Sequence, residues 1–186
     1  MKQVYILLSK TGTVPSRFIH FLTKGTFTHT SIALTPETDR FYSYARRTLN
    51  NPLRAGFMME DIHDFIFARY PDAPCALYAI TISDEAYERL EKRVQFYFDN
   101  YKKAKYNFIG ALALRLGIRI RREYHLVCSQ FVALMLQESG EISLPKDPYM
   151  MLPSDFMKIE NIRKIYSGRL ADCNFALAEL CESVSR

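Results

Sequence analysis

The sequence has no tryptophan, and among its 186 residues only four are cysteine and four histidine. Each shortage excludes something. Cys75, Cys128, Cys173 and Cys181 form no close-spaced pair, and His20, His29, His63 and His125 make no HExxH or comparable run, so neither a metal nor another cofactor is expected. A chain of this length needs no disulfide staples, and unpaired thiols suit a reducing, cytoplasmic setting. No window approaches the roughly 18 apolar residues of a membrane span. The apolar run Val4–Leu8 behind a single lysine is too short for a secretory signal. Internal repeats, low-complexity stretches and linkers are also missing.

What is present describes one globular domain, residues 1–186. Apolar residues make up 48% of the chain and charged residues 24%, which leaves little room for long disorder. The 12 tyrosines and 13 phenylalanines suit an aromatic core or a cleft with aromatic walls. A net charge of +5 favours anionic surfaces or substrates. No nucleic-acid-binding motif accompanies it, so nucleic acid is not an expected partner.

Along the chain, residues 3–9 read as a buried strand. Thr11-Gly12-Thr13 then turns into a short amphipathic helix with Pro15 near its start. Residues 27–34 form the next strand, with His29, Ser31 and Ala33 on one face. Because these are mostly small, a helix is expected to pack against that face. A turn at 36–39 leads into a return strand over 40–46, and Ser43 or a neighbour comes level with His29. Residues 57–62 and 75–82 read as further strands. Ser83-Asp84-Glu85 caps a helix that runs to about Tyr101 with a Tyr/Phe stripe. An apolar helix follows over 108–116, then a helix from Cys128 to about Gly140, a turn at Pro153-Ser154-Asp155-Phe156 and a closing strand over 162–166. The tail from 172 to 182 carries weak helical periodicity. The sum is an α+β domain, a central antiparallel sheet with helices packed around it.

Cys128 opens its helix on the side that also carries Phe131 and Val132. Unpaired N–H groups in a first turn, together with the helix dipole, favour negative charge there and bias a thiol toward thiolate. Nucleophilic catalysis by a thiol needs a base and a group to orient that base. His29, on a central strand, is the candidate base. His125 competes because it lies three residues from the thiol, but it sits on the approach to the helix and would have to fold back. For the orienting group, Ser43 is the best positional match, with a backbone carbonyl or Glu60 as alternatives. His20 and His63 read as packing or surface residues.

His29-Thr30-Ser31-Ile32-Ala33 on a strand, followed much later by Cys128-Ser129-Gln130-Phe131-Val132-Ala133 on a helix, resembles the circularly permuted branch of the NlpC-type papain-like superfamily. That branch includes the YiiX-type and lecithin:retinol acyltransferase-like proteins, in which the histidine strand precedes the cysteine helix. Tyr106-Asn107-Phe108 resembles the tyrosine segment that lines the site in such proteins, and Pro153-Ser154-Asp155-Phe156 resembles their later proline turn. The likeness runs from about residue 4 to 166. It departs at the strand after the histidine, where the branch places His, Glu, Asn or Gln and this chain has Phe41-Tyr42-Ser43-Tyr44-Ala45-Arg46.

The resemblance implies a permuted papain-like fold and acyl transfer by Cys128 and His29, with Ser43 as third member. Tyr106, the Cys128 backbone N–H and Ser129 would form the substrate and oxyanion side. The expected substrate is a small molecule, peptide or lipid-like amide, ester or thioester, and the product is that of a hydrolase or an acyltransferase. A catalytically silent module that binds a ligand or partner is the alternative. Lys102, Lys103, Lys105, Arg119, Arg121 and Arg122 flank the approach to the cysteine helix. They read either as a solvated face or as a collar for an anionic group, with peripheral contact to a membrane surface.

Overall fold

In a computed structural model of the protein, the described residues are 1–10, 26–35, 40–48, 51, 53–61 and 65–173. The helix expected after Thr13, His20, His63, Cys181 and nearly all of the C-terminal tail lie outside them. Among the described residues eight strands form one sheet: β1 (Lys2–Ser9), β2 (His29–Ala33), β3 (Arg40–Arg46), β4 (Ala55–Asp61), β5 (Pro74–Ile82), β6 (Lys105–Tyr106), β7 (His125–Leu126) and β8 (Arg163–Arg169). Their spatial order is β7-β6-β4-β3-β2-β1-β5-β8. Every neighbouring pair is antiparallel except β6 and β7. Among the described residues the α-helices are α1 (Phe65–Arg69), α2 (Asp84–Asp99), α3 (Phe108–Arg115) and α4 (Cys128–Glu138). None of them is long and apolar enough to cross a membrane.

The sheet is covered on both faces, and β1 shows it most plainly. Held between β2 and β5, it is buried from Val4 through Ser9. Val4, Ile6 and Leu8 join the larger core with residues of α2 and α4, while Tyr5 and Leu7 join a smaller one with Phe41, Phe67 and Leu77. A strand apolar on both sides reads as a continuous run in sequence, which is the pattern seen at its start.

The same division corrects one expectation. The helix was to lie against the face bearing His29, Ser31 and Ala33. Instead Ile32, from the opposite parity, shares the larger core with Phe131, Val132, Met135 and Leu136 of α4. The Ala33 side belongs to the smaller core, filled in part by Phe67 of α1. A helix carrying large apolar side chains buries more surface against Ile32, Tyr44 and Phe57 than against serine and alanine, and the larger contact wins.

Helix α4 is held by an aromatic box. The Phe131 ring centroid lies 5.5 Å from Tyr44, 5.6 Å from Phe57 and 5.2 Å from Tyr97. Tyr97 comes from α2, whose start is fixed by Ser83: its hydroxyl accepts from the Ala86 N–H, and Asp84 and Glu85 occupy the first turn. On the far side of Phe57, β4 meets the segment before β6 at very short range. A Cβ built on Gly56 would collide with the carbonyl oxygen of Ala104, the same oxygen that accepts from the Phe57 N–H and from the Arg47 guanidinium.

Cys75 and Cys173 are buried together in the smaller core. A hydrogen bond from Cys173 holds the Cys75 thiol below its ordinary range, against burial that pushes it up. The aromatic box yields a stability test. Phe131→Ala should lower unfolding free energy by about 3–5 kcal/mol, read from urea denaturation. A loss under about 1 kcal/mol would mean that α4 is held by something else.

Candidate active site

Cys128 is the first residue of α4 and is 3% exposed. Its position is set by Gln130, two residues on. The Gln130 side-chain oxygen accepts from the Val127 N–H at 3.1 Å, and its amide donates to the Tyr149 carbonyl at 2.9 Å. Val127 has no side-chain acceptor, so Gln130 supplies the capping that the N-cap cannot. It also ties the first turn to the 3₁₀ turn Pro148–Met150. The following turn, Pro153–Lys158, is organised by Asp155, which accepts from the Leu152 N–H and pairs with Lys146 and Lys158.

His29 is the first residue of β2, 14% exposed. Its Nε2 lies 2.8 Å from a carboxylate oxygen of Glu60 on β4, itself 7% exposed. Its ring stands 6.4 Å from that of Phe67. Burial alone would lower the imidazole pKa. The Glu60 charge and hydrogen bond, with the Cys128 thiol as a further hydrogen-bonding and electrostatic neighbour, override that and raise it to about 10. With Nε2 taken by Glu60, Nδ1 is the ring nitrogen left for the sulfur.

Tyr106 ends β6, next to the N-cap of α3, and its phenol is within electrostatic reach of the same sulfur. Burial first, and the negative charge that Cys128 can carry second, push it well above the ordinary tyrosine range. It therefore keeps its proton and remains a hydrogen-bond donor throughout the neutral range.

The structure thus brings together Cys128, His29 and Tyr106, three of the residues singled out from sequence. Ser129 is buried in the first turn of α4, 1% exposed. Ser43 takes a different place from the one expected. It is fully buried and its hydroxyl donates to the Thr30 carbonyl at 2.8 Å, while the group on the imidazole is Glu60. A carboxylate holds an imidazolium far better than a hydroxyl that is already spent on a carbonyl. His125, the competing base, lies in β7 opposite Lys105, and it is His29 on which the thiol acts. Sequence reasoning reached Glu60 only as an alternative and missed Gln130 and Phe67. The clue to Glu60 was an acid continuing an apolar strand, Gly56-Phe57-Met58-Met59-Glu60.

Chemically, a thiol, a charged imidazole, an orienting carboxylate and a phenolic donor can perform nucleophilic attack on a carbonyl with proton transfer to the leaving group. No protein-family model matches the sequence, and no curated protein matches it.

The His29–Glu60 pair predicts a pH dependence whose sign follows from linkage. A histidine raised from 6.5 to about 10 on folding stabilises the fold fully below pH 6.5, and that contribution disappears as pH rises through 10. Glu60→Gln removes the charge that raises it most and leaves the Cys128 thiol alone against burial, which lowers it. Carbon-detected NMR should show His29 titrating near 10 in the parent and lower in the variant. The parent's urea midpoint should also fall more steeply than the variant's between neutral pH and pH 10. A parent His29 titrating near 6.5 would overturn the assignment.

Proposed function

We propose that this protein is a cysteine-dependent hydrolase or acyltransferase with a permuted papain-like fold, in which Cys128 is the nucleophile, His29 the acid–base group and Glu60 the residue that orients it. The observation that carries the reading is the imidazole held on Nε2 by a buried carboxylate while the helix-start thiol is its other neighbour. The triad logic of thiol, base and orienting acid needs these roles rather than a fixed sequence order. Histidine strand before cysteine helix is the order of the permuted branch that the sequence resembles. Cys128 is a free thiol, as the chemistry requires.

In this reading the Cys128 sulfur, as thiolate, attacks the carbonyl carbon of an amide, ester or thioester. The oxyanion accepts from the Tyr106 hydroxyl and the Cys128 backbone N–H. Collapse of the tetrahedral intermediate breaks the bond to the leaving amine, alcohol or thiol, which takes the proton from His29. The now neutral imidazole removes a proton from water, or from an acceptor alcohol or amine, as that group attacks the thioester. Collapse then releases the acid or the transferred acyl product, returning thiolate and imidazolium. Glu60 keeps the ring aligned through both halves. The expected substrate is a small molecule, peptide or lipid-like acyl compound, and a reducing cytoplasm suits the free thiol.

A second reading, a ligand-binding module without turnover, draws support from the burial of Cys128 at 3% exposure. Site-resolved alkylation against pH separates the two, with Cys75 and Cys173 read as internal controls. In the catalytic reading Cys128 reacts as a thiolate well below pH 8, and His29→Ala slows that reaction at neutral pH by about tenfold or more. An ordinary profile centred near 8.5, indifferent to the substitution, would leave the binding module.

A further inference from the structure

Helix α3 is built inside out. Its inward side carries Gly110 and Ala113, both buried, while Ile109 is 66% exposed, Leu112 47% and Leu116, the C-cap, 66%. Phe108 and Ile118 add 41% and 54%. At 100° per residue, Phe108, Leu112, Leu116 and Ile109 fall within one arc of about 100°, so the exposed side chains make one stripe. Amphipathic helices on a globular domain turn such a stripe to the core. Scattered exposed leucines need no explanation, but a contiguous stripe on a single short helix does.

The charge around the stripe says what would cover it. Residues 101–122 hold seven lysines and arginines and no acid. The rest of the chain, with 18 basic residues against 20 acidic ones, is net negative. Lys102, Lys103 and Lys105 precede the helix and Arg119, Arg121 and Arg122 follow it, so cations stand at both of its ends. All six are exposed, and among the described residues Arg119 and Arg121 alone have an acidic partner, Asp147. An apolar stripe between two cationic ends is the pattern of a helix lying in the plane of an anionic lipid surface. The side chains enter the acyl boundary, and the cations meet the headgroups.

We propose that the α3 face docks this protein on anionic bilayers. The contact is peripheral: one exposed stripe and its flanking cations on a surface helix, reversible and sensitive to salt. It would hold the chain with Tyr106, an electrostatic neighbour of the Cys128 thiol, close to the lipid, because Asn107, the residue after Tyr106, caps the same helix. The docking stands without the catalytic reading, and its test needs no turnover.

Sedimentation with phosphatidylcholine vesicles, with and without phosphatidylserine, is the test, run on the parent, on Cys128→Ala and on the triple variant Ile109→Ser, Leu112→Ser, Leu116→Ser. Because these three side chains are solvent-exposed, circular dichroism and the thermal midpoint should match the parent, and Lys102→Ser with Lys103→Ser gives a second variant at exposed side chains. Binding should require phosphatidylserine and weaken as salt rises. It should fall about tenfold or more in each multiple variant and be unchanged in Cys128→Ala. Absence of binding to phosphatidylserine vesicles, or binding indifferent to both variants, overturns the proposal. So does a parent that sediments as a dimer which the triple variant dissociates, since the stripe would then be covered by a second copy.

Discussion

Everything at the site depends on how α4 is pressed onto the sheet. The contact is Phe131 set among Tyr44, Phe57 and Tyr97, drawn from two strands and a second helix. Aromatic groups at these separations pack edge-on and tilted, and each fixes the orientation of the next. With Phe131 fixed, Cys128 lies less than one turn away along the same helix and has little freedom. Gln130 removes what remains by holding the first turn from both ends. A thiol placed by a packed core and a buried amide is preorganised, held in one position before anything meets it.

The electrostatics are arranged in the opposite spirit. Burial works against a charged His29, and Glu60 works for it with a hydrogen bond and its charge. The attraction outweighs the desolvation of the ring, so the charged pair stabilises the fold at neutral pH and loses that contribution as pH rises through 10. Its value lies in fixing which nitrogen faces the sulfur and in keeping the ring charged. Tyr106 is the complement: burial keeps its phenol neutral, so the Cys128 thiol has both a charged and a neutral proton donor among its electrostatic neighbours.

Much of this was legible in the sequence, and the parts that were not have physical reasons. The start of α4 at Cys128, the Ser83 cap and β3 were each readable because period and capping chemistry act over a few neighbouring residues. The pairing of His29 with Cys128 followed from a helix-start thiol and a central-strand imidazole and was strengthened by resemblance, since nothing local joins residues a hundred positions apart. Ser43 was favoured over Glu60 because the next strand in sequence was taken to supply the partner, and sequence cannot say how far a side chain reaches across a sheet. Facing was misjudged for β2, where small residues suggested room for a helix that chose the larger apolar side. The basic segments were noticed, but the inversion of α3 was not, because a short apolar helix reads the same whichever way it is turned.

Gly56 carries an implication for tracing descent. Where the Ala104 carbonyl oxygen crosses β4, no side chain fits, and that crossing joins the sheet to the stretch leading to Tyr106 and the cysteine helix. Surface residues and loops can drift without disturbing it. A glycine directly before a core aromatic, set between a histidine strand and a later cysteine helix, is therefore a fingerprint that should outlast overall similarity. Distant kin of this chain are better sought by that three-point spacing than by alignment along its length.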